Sequence, residues 1–515
     1  MSKESFIYAT HKAMIGDVAL AGRPLTELVE EIQHTYLGDE RPWIIGFSGG
    51  KDSTCILSLI YFAIKSLKKE LRAKKPIYIV SSDTLVETPV VVDQINSVLA
   101  TVEKQGKKDG IRITGHPVHP NQHETFWVNL LGKGYPAPQQ KFRWCTERMK
   151  IDPVSAFIKQ TAATSGEVIL ALGSRSKESA SRSQVIAKHR IKGTSLGRHS
   201  TLSNAFTYMP IVDWDADEVW EYLMSAPCPW GGSNRALFEL YKGSNQGECP
   251  LVIDKSTPSC GNSRFGCWTC TVVTKDRALE GLIESGEVWM KALLDFRNKI
   301  YVSTDPAKKK QYRNWKRRTG RVSYIAGHDI NDDSNDEIRH IPGPYWLKVR
   351  QEWLKELLTI EKNLNDSGHQ IELIKRYEIE AIRQEWLRDP NEPDWEDSLP
   401  KLFQEVYPEE HVDWVDNDAG VFTAHDSQLL QELSQKHDIP AELILKLLEQ
   451  EIHVTGLGNR RGILKKLESI LRRDWDALEV VNKRNQETKK QDLYKDKIDE
   501  TKQELERINS LVCVE

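Results

Sequence analysis

A chain of 515 residues holds material for two to four domains and a large core. Its 71 basic and 75 acidic residues leave a net charge of −4, so overall charge gives no sign of a nucleic-acid binder, and such a contact must come from local patches. No apolar run is long enough to span a membrane, the start Met1-Ser2-Lys3-Glu4-Ser5 lacks a signal-peptide core, and eight cysteines are too few for a disulfide scaffold. The expectation is a soluble, cytoplasmic protein with no membrane partner.

Residues 1–40 read as a helical lead-in, with Leu25, Leu28, Val29 and Ile32 at helical spacing. The apolar run 43–47 predicts a buried strand, and 53–69 predicts a helix with Ile56, Leu59, Ile60 and Ile64 on one stripe. Between them lies Ser48-Gly49-Gly50-Lys51-Asp52-Ser53-Thr54. Adjacent glycines let a backbone wrap an anion, and the helix start adds unpaired N–H groups and a positive dipole end. Hydroxyls of Ser48, Ser53 and Thr54 and the charge of Lys51 complete a pyrophosphate cradle. It is not a Walker A loop, whose glycines are spaced differently ahead of the lysine. Lys51, Asp52 and Ser48 are the candidate catalytic residues. Lys51 is expected to neutralise charge on a leaving pyrophosphate, and Asp52 to orient the loop or a metal.

Strand-like runs at 77–81, 111–114 and 168–173 alternate with helical patterns at 88–103 and 153–164. This alternation over residues 41–225 predicts an α/β domain with a doubly wound, mostly parallel sheet and ligands at the carboxyl ends of its strands. Asp83 closes the second strand, where its carboxylate reaches a ribose or a metal, or else caps a turn. Arg175 and Arg182 follow the fourth run and are candidate phosphate clamps. Cys55 falls in the apolar helix and is expected in the core.

From 226 to 340 the texture turns to Gly, Pro, Ser and Cys, and 341–515 reads as mostly helical. Cys267-Trp268-Thr269-Cys270 brings two thiolates to one metal; Cys260 is a third, and Cys249 lies upstream. An iron–sulfur or a zinc site fits this spacing. Cys228 and Cys513 lack sequence partners and read as structural or incidental. Lys308-Lys309-Lys310, Arg313, Lys316-Arg317-Arg318 and Arg321, with Tyr312 and Trp315 interleaved, form the densest basic patch. Arg460-Arg461, Lys465-Lys466 and Arg472-Arg473 form another. Each reads either as a phosphate-tracking surface or as a solvated charged face.

The ordered strings 48–54, Gly173-Ser174-Arg175-Ser176-Lys177-Glu178-Ser179 and Pro210-Ile211-Val212-Asp213-Trp214 resemble the PAPS reductase-like branch of the PP-loop ATP pyrophosphatases. The resemblance implies that Ser48, Gly49, Gly50, Lys51, Asp52, Ser53 and Thr54 hold ATP phosphates with Mg2+, and that Asp83, Arg175 and Arg182 line the nucleotide pocket. Cys145, in Trp144-Cys145-Thr146-Glu147-Arg148-Met149-Lys150, resembles the cysteine segment of cluster-containing APS reductases, with Thr146 where those carry a second cysteine. It implies a [4Fe-4S] cluster on Cys145, Cys260, Cys267 and Cys270, with Cys249 as rival fourth ligand. The reductases' C-terminal Glu-Cys-Gly-Leu-His segment has no counterpart in Leu511-Val512-Cys513-Val514-Glu515. Length and the cysteine-rich insertion together resemble the bacterial DNA phosphorothioation proteins. That implies activation of a DNA phosphate for sulfur insertion, a cysteine desulfurase as sulfur donor and other DNA sulfur-modification subunits as partners. A sulfonucleotide reductase, a tRNA-thiolating enzyme and an ATP-sensing scaffold are the alternatives.

Overall fold

A computed structural model describes residues 18–243, 266–324, 340–389, 391–415, 424–452 and 462–485, with a few further positions near either end. Cys249, Cys260, Cys513, Arg460 and Arg461 lie outside the described residues. The chain divides into two compact units. The first comprises 1–129, 137–304 and 356–381; the second comprises 130–136, 305–355 and 382–515.

The first unit is built on a six-stranded sheet: β1 (Trp43–Gly46), β2 (Ile77–Ser82), β3 (Ile113–Val118), β4 (Val168–Ala171), β5 (Leu196–Arg198) and β6 (Ala205–Tyr208). Their order is β3-β2-β1-β4-β6-β5, all neighbours parallel except the β5–β6 edge pair. β1 is central, with Trp43 opposite Ile77 on one side and Ile169 on the other. Its four residues are all buried, as expected of a strand covered on both faces. β3 lies at the other edge, which is why it tolerates Pro117 and runs later than the predicted 111–114.

Helices cover both faces, so the doubly wound expectation holds. On one side α1 (Leu25–Leu37) and α2 (Lys51–Lys65) pack on Trp43 and Ile45. On the other, Val154 and Ile158 of α4 (Asp152–Ser165) pack on Ile44, Val80 and Leu170. Between these in sequence runs α3 (Pro89–Asp109), with Pro89 at its start and Gly110 ending it at φ 74°. It outlasts the predicted 88–103 because the polar run to Asp109 stays helical until that glycine.

Every residue of α2 from Ser53 to Ile64 is buried, so the predicted single stripe is instead a helix buried all round. Cys55 is fully buried in that core, as expected. α5 (Ala180–His189) and α6 (Ala216–Ser225) follow; α6 starts with a capping box, Glu218 N–H donating to Asp215 Oδ1 at 3.0 Å and Asp215 N–H to Glu218 Oε2 at 2.7 Å. A short helix, α7 (Arg235–Gly243), ends the contiguous stretch.

The second unit is helical among its described residues, including Ser398–Val406, Ala424–His437, Ala441–Ile452 and Ile463–Leu471. A buried Arg350 holds it, donating to Gly132 O at 2.7 Å and to Asp389 Oδ2 at 2.8 Å. A lone buried guanidinium is costly, and this pairing with a carboxylate and a carbonyl offsets it. Among the described residues, no helix is long and apolar enough to cross a membrane.

Candidate nucleotide site

Strand order reverses at β1, so the crevice outside the carboxyl ends of β1 and β4 is where an open α/β sheet binds ligands. The loop from β1 into α2 lies there. Gly49 has φ 73°, and a Cβ on it would meet Ile95 Cγ1 at 2.7 Å, so neither the backbone nor the space admits another residue without strain. Gly50 caps α2 in extended conformation without a side-chain cap, leaving the first-turn N–H groups directed out of the helix start. Ser53 Oγ donates to Gly50 O at 2.9 Å and accepts from Ser48 N–H at 3.3 Å, fixing the loop from inside.

Lys51 is 2% exposed, with its ammonium 3.2 Å from Asp52 Oδ2. The other oxygen of Asp52 receives Arg175 Nε at 2.6 Å. Arg175 leaves the end of β4, so adjacency of β1 and β4 creates a contact across 123 positions of sequence. Gly173 permits it: a Cβ there would lie 2.8 Å from the Asp52 backbone. The predicted phosphate clamp Arg175 is thus buried, 3% exposed, and holds Asp52 and Glu178. Arg182 also pairs with Glu178, and its N–H is capped by Ser179 Oγ at 3.2 Å.

Tyr241 of α7 was not anticipated. Its hydroxyl accepts the Lys51 N–H at 3.1 Å, taking a donor that the cradle would offer to a phosphate oxygen, and lies 3.1 Å from where a Gly50 Cβ would stand. A tyrosine nearly two hundred residues downstream carries no local signal of this role.

Asp83 receives its N–H partner from the turn it begins, Leu85 N–H to Oδ1 at 2.8 Å, and Leu85 adopts φ 65°. The turn reading of Asp83 is therefore realised, with His119 Nδ1 3.5 Å from its second oxygen.

Beyond this turn, Cys267 Sγ lies 3.3 Å from Thr84 Oγ1 and 3.5 Å from Glu87 Oε1, and Lys150 Nζ is 3.3 Å from the same carboxylate oxygen. Burial pushes the Cys267 thiol well above its usual range; Glu87 and, more weakly, Cys145 add to the rise. Cys267 thus lies beside the turn that follows β2, near enough to Cys145 for the two thiols to feel each other's charge. Two soft thiol donors fit an iron–sulfur or zinc ligand set. Cys270 is buried and its carbonyl accepts Arg297 Nε at 2.8 Å. Among the described residues, no three His, Cys, Asp or Glu side chains group to hold a metal. Cys228 is structural, donating to Asn234 Oδ1 at 3.1 Å, and burial raises its thiol to about 12.

The basic patches lie in the second unit, and part of their charge is spent on the fold. Arg313 donates to Gly343 O at 2.7 Å and Pro342 O at 2.8 Å, and Arg318 to Lys133 O at 2.6 Å. Lys308, Lys310, Arg317, Arg321, Lys465 and Lys466 are exposed. Arg473 packs against Gly320, and Lys316 lies over Trp475, so the described parts of the two patches are neighbours.

Residues 42–273, just under half of the chain, match the model of the phosphoadenosine phosphosulfate reductase domain. The six-stranded sheet and the cradle both lie within this matched stretch. An uncharacterized protein of Methanocaldococcus jannaschii is 29% identical over 199 residues, which cover 39% of this chain and 35% of that relative. The chain thus matches about a third of that relative's length. Among solved structures, FMN adenylyltransferase of Candida glabrata in complex with FMN and an ATP analogue has 10% identity and TM-score 0.26, covering 43% of this chain and 64% of its own. The U34-tRNA thiolase NcsA of Methanococcus maripaludis, with its [4Fe-4S] cluster, has 14% identity and TM-score 0.24, covering 61% of this chain and 85% of its own.

Proposed function

We propose that this protein is an ATP pyrophosphatase, splitting ATP to AMP and pyrophosphate, that adenylates a DNA backbone phosphate for replacement of a non-bridging oxygen by sulfur. The observation that carries the ATP half is the cradle: Gly49 at φ 73°, a helix start at Lys51 whose N-cap Gly50 supplies no side-chain bond, and Lys51, Asp52 and Arg175 in one ionic chain. Such a site stabilises charge developing on a leaving pyrophosphate, with Lys51 as the mobile cation and Arg175, through Asp52, as the positioning residue. Mg2+ on the nucleotide phosphates would share that charge.

The DNA half rests on resemblance to the DndC family of DNA sulfur-modification proteins, in the combination of cradle, length and the cysteine-rich segment. A phosphate oxygen attacks the α-phosphorus and pyrophosphate leaves. A sulfur nucleophile at the hydrosulfide level then attacks the activated phosphorus, and the original oxygen departs with AMP. A cysteine desulfurase is the proposed sulfur source, acting with further DNA-modification subunits. A [4Fe-4S] cluster held by Cys260, Cys267 and Cys270 would leave one iron at which sulfur can bind, whereas Cys145, or its rival Cys249, as fourth ligand would close it.

The test is ATP-to-AMP turnover by anaerobically purified protein with DNA, tRNA or sulfonucleotides. Stimulation by DNA alone is expected, and Lys51→Ala or Asp52→Ala should reduce turnover by 100-fold or more, on the order seen when one charge-stabilising group is removed. Stimulation by tRNA alone, or reduction of adenylyl sulfate, would overturn the DNA assignment. Turnover that survives both substitutions would overturn the site.

A further inference from the structure

Beside the cradle, a cavity of about 1210 Å³ runs along the β6–β5 edge of the first unit. Ser174, Ser176 and Arg182 form its inner end, immediately after the β4 exit that carries Arg175. Its outer wall is α5 and the tight connection to β5. There Ile191 N–H donates to Leu196 O at 3.0 Å, Gly193 turns at φ 78°, and Arg190 bridges to Gly197. Gly197 has no room for a Cβ, which would stand 2.7 Å from Thr207 Oγ1 and 3.3 Å from His189 O. The wall is therefore a built element, held to β6 by backbone pairing and close approach.

Its charge is mostly positive: Arg23, Arg182, Arg190, Lys192 and Arg198 outnumber Glu31, Asp39 and the exposed Asp213. Glu31 is already neutralised by Arg23 at 2.7 Å, and Asp39 by Arg41 at 2.6 Å and Lys75 at 2.8 Å. Arg190, Lys192 and Arg198 are exposed, and among the described residues no carboxylate pairs with any of them. His199 is buried in the same lining; its Nδ1 accepts N–H groups of Thr201 and Leu202 at 3.2 Å each, which makes Nε2 the protonated, donating nitrogen. A row of cations leading to the Ser174 hydroxyl at the β4 exit suits a run of phosphodiesters; the Ser176 hydroxyl is held by Val212 O at 2.9 Å. The volume exceeds what one drug-sized ligand fills.

We propose that this cavity is the groove that seats the DNA backbone, with Arg190, Lys192 and Arg198 each neutralising a phosphate and Ser174, beside the Glu178-paired Arg182, receiving the one to be activated. This rests on the DNA reading above and locates its acceptor in the first unit rather than in the Lys308–Arg321 patch, which belongs to the second.

Association of a fluorescent DNA duplex with the full chain, measured by anisotropy across a salt series, tests it. Each phosphate contact contributes about 0.9 to the slope of log affinity against log salt, so Arg190→Gln/Lys192→Gln/Arg198→Gln should lower the slope by roughly 2–3. A comparison variant, Lys308→Gln/Lys465→Gln/Lys466→Gln, should leave the slope at the wild-type value. Each variant is checked by its thermal midpoint, and the single substitution Lys192→Gln, at an exposed loop tip, should lower the slope by about 1 without any folding change. A wild-type slope in the triple and single groove variants overturns the groove while the DNA reading stands, as does loss of slope in the comparison variant alone. Salt-independent association of the wild type overturns the DNA reading itself. Tight AMP binding lost in the groove variants, with the DNA slope unchanged, would make the cavity a second mononucleotide site instead.

Discussion

At the scale of single residues, the site is governed by which groups are already engaged. Tyr241 accepts the Lys51 N–H that a phosphate would use, so under the proposed reading a bound nucleotide displaces it. Tyr241→Phe removes that competitor. Since one hydrogen bond contributes about 0.5–1.5 kcal/mol net, KM for ATP should fall roughly two- to tenfold with kcat nearly unchanged; a raised KM would show that the hydroxyl contacts substrate. Glu378 is a second case. It is buried, accepts Lys375 N–H at 2.8 Å, and burial lifts its carboxyl to about 7. The folded state thus holds a proton that the unfolded state releases near its ordinary value of 4.5. Stability is highest below about 4.5 and falls as pH rises toward 7, by roughly 3 kcal/mol if the whole shift is realised. Glu378→Gln should flatten that decline in unfolding midpoint against pH. An unchanged profile would show that another group causes it.

At the scale of elements, strand exits and helix starts make the site together. The cradle string was legible from sequence because its chemistry is local: glycines, hydroxyls and a lysine between a strand and a helix. The Asp52–Arg175 pair was not, because it depends on β4 lying beside β1. Arg313 and Arg318 read as surface charge for a related reason: the carbonyls that bind them, from Gly343 and Lys133, have no signature in a side-chain pattern. α5 also escaped notice. It buries none of its residues, so it has no apolar stripe to betray it. β6 is only four residues long, below the length at which alternation stands out. Gly173→Ala tests the element-level coupling. Its Cβ would press on the Asp52 backbone and push the β4 exit off α2. We expect kcat to fall about tenfold or more, with a lower thermal midpoint since such overpacking costs about 1–3 kcal/mol; unchanged kcat would mean that the close approach is dispensable.

At the scale of the whole molecule, the architecture was readable and the partition was less so. Alternation of apolar runs with helical patterns anticipated a parallel sheet covered on both faces, and the sheet order bears that out. The contact-defined units, by contrast, interleave three segments each, and such tertiary grouping leaves no trace in composition. Ligand linkage gives the whole-molecule test. A non-hydrolysable ATP analogue at about 100 times its Kd should add roughly 2.7 kcal/mol to stability and raise the unfolding midpoint, and the rise should vanish in Lys51→Ala. A rise that persists in the variant would place nucleotide binding elsewhere.

The β1–β4 adjacency also bears on how the molecule is made. Because Asp52 meets Arg175 across 123 positions, the cradle string emerges from the ribosome long before the strand that completes it. Closing so long a loop is entropically slow, and parallel pairing of distant strands lengthens folding times further. Until β4 docks, α2, which is buried from Ser53 to Ile64 in the finished fold, lacks part of its cover, a stretch that calls for protection during synthesis. On the proposed reading, ATP binding competence is then a late event, acquired only after β4 and the arginine beyond it have been translated, so a nascent chain that ends before them bears the loop but not the completed Asp52–Arg175 pair.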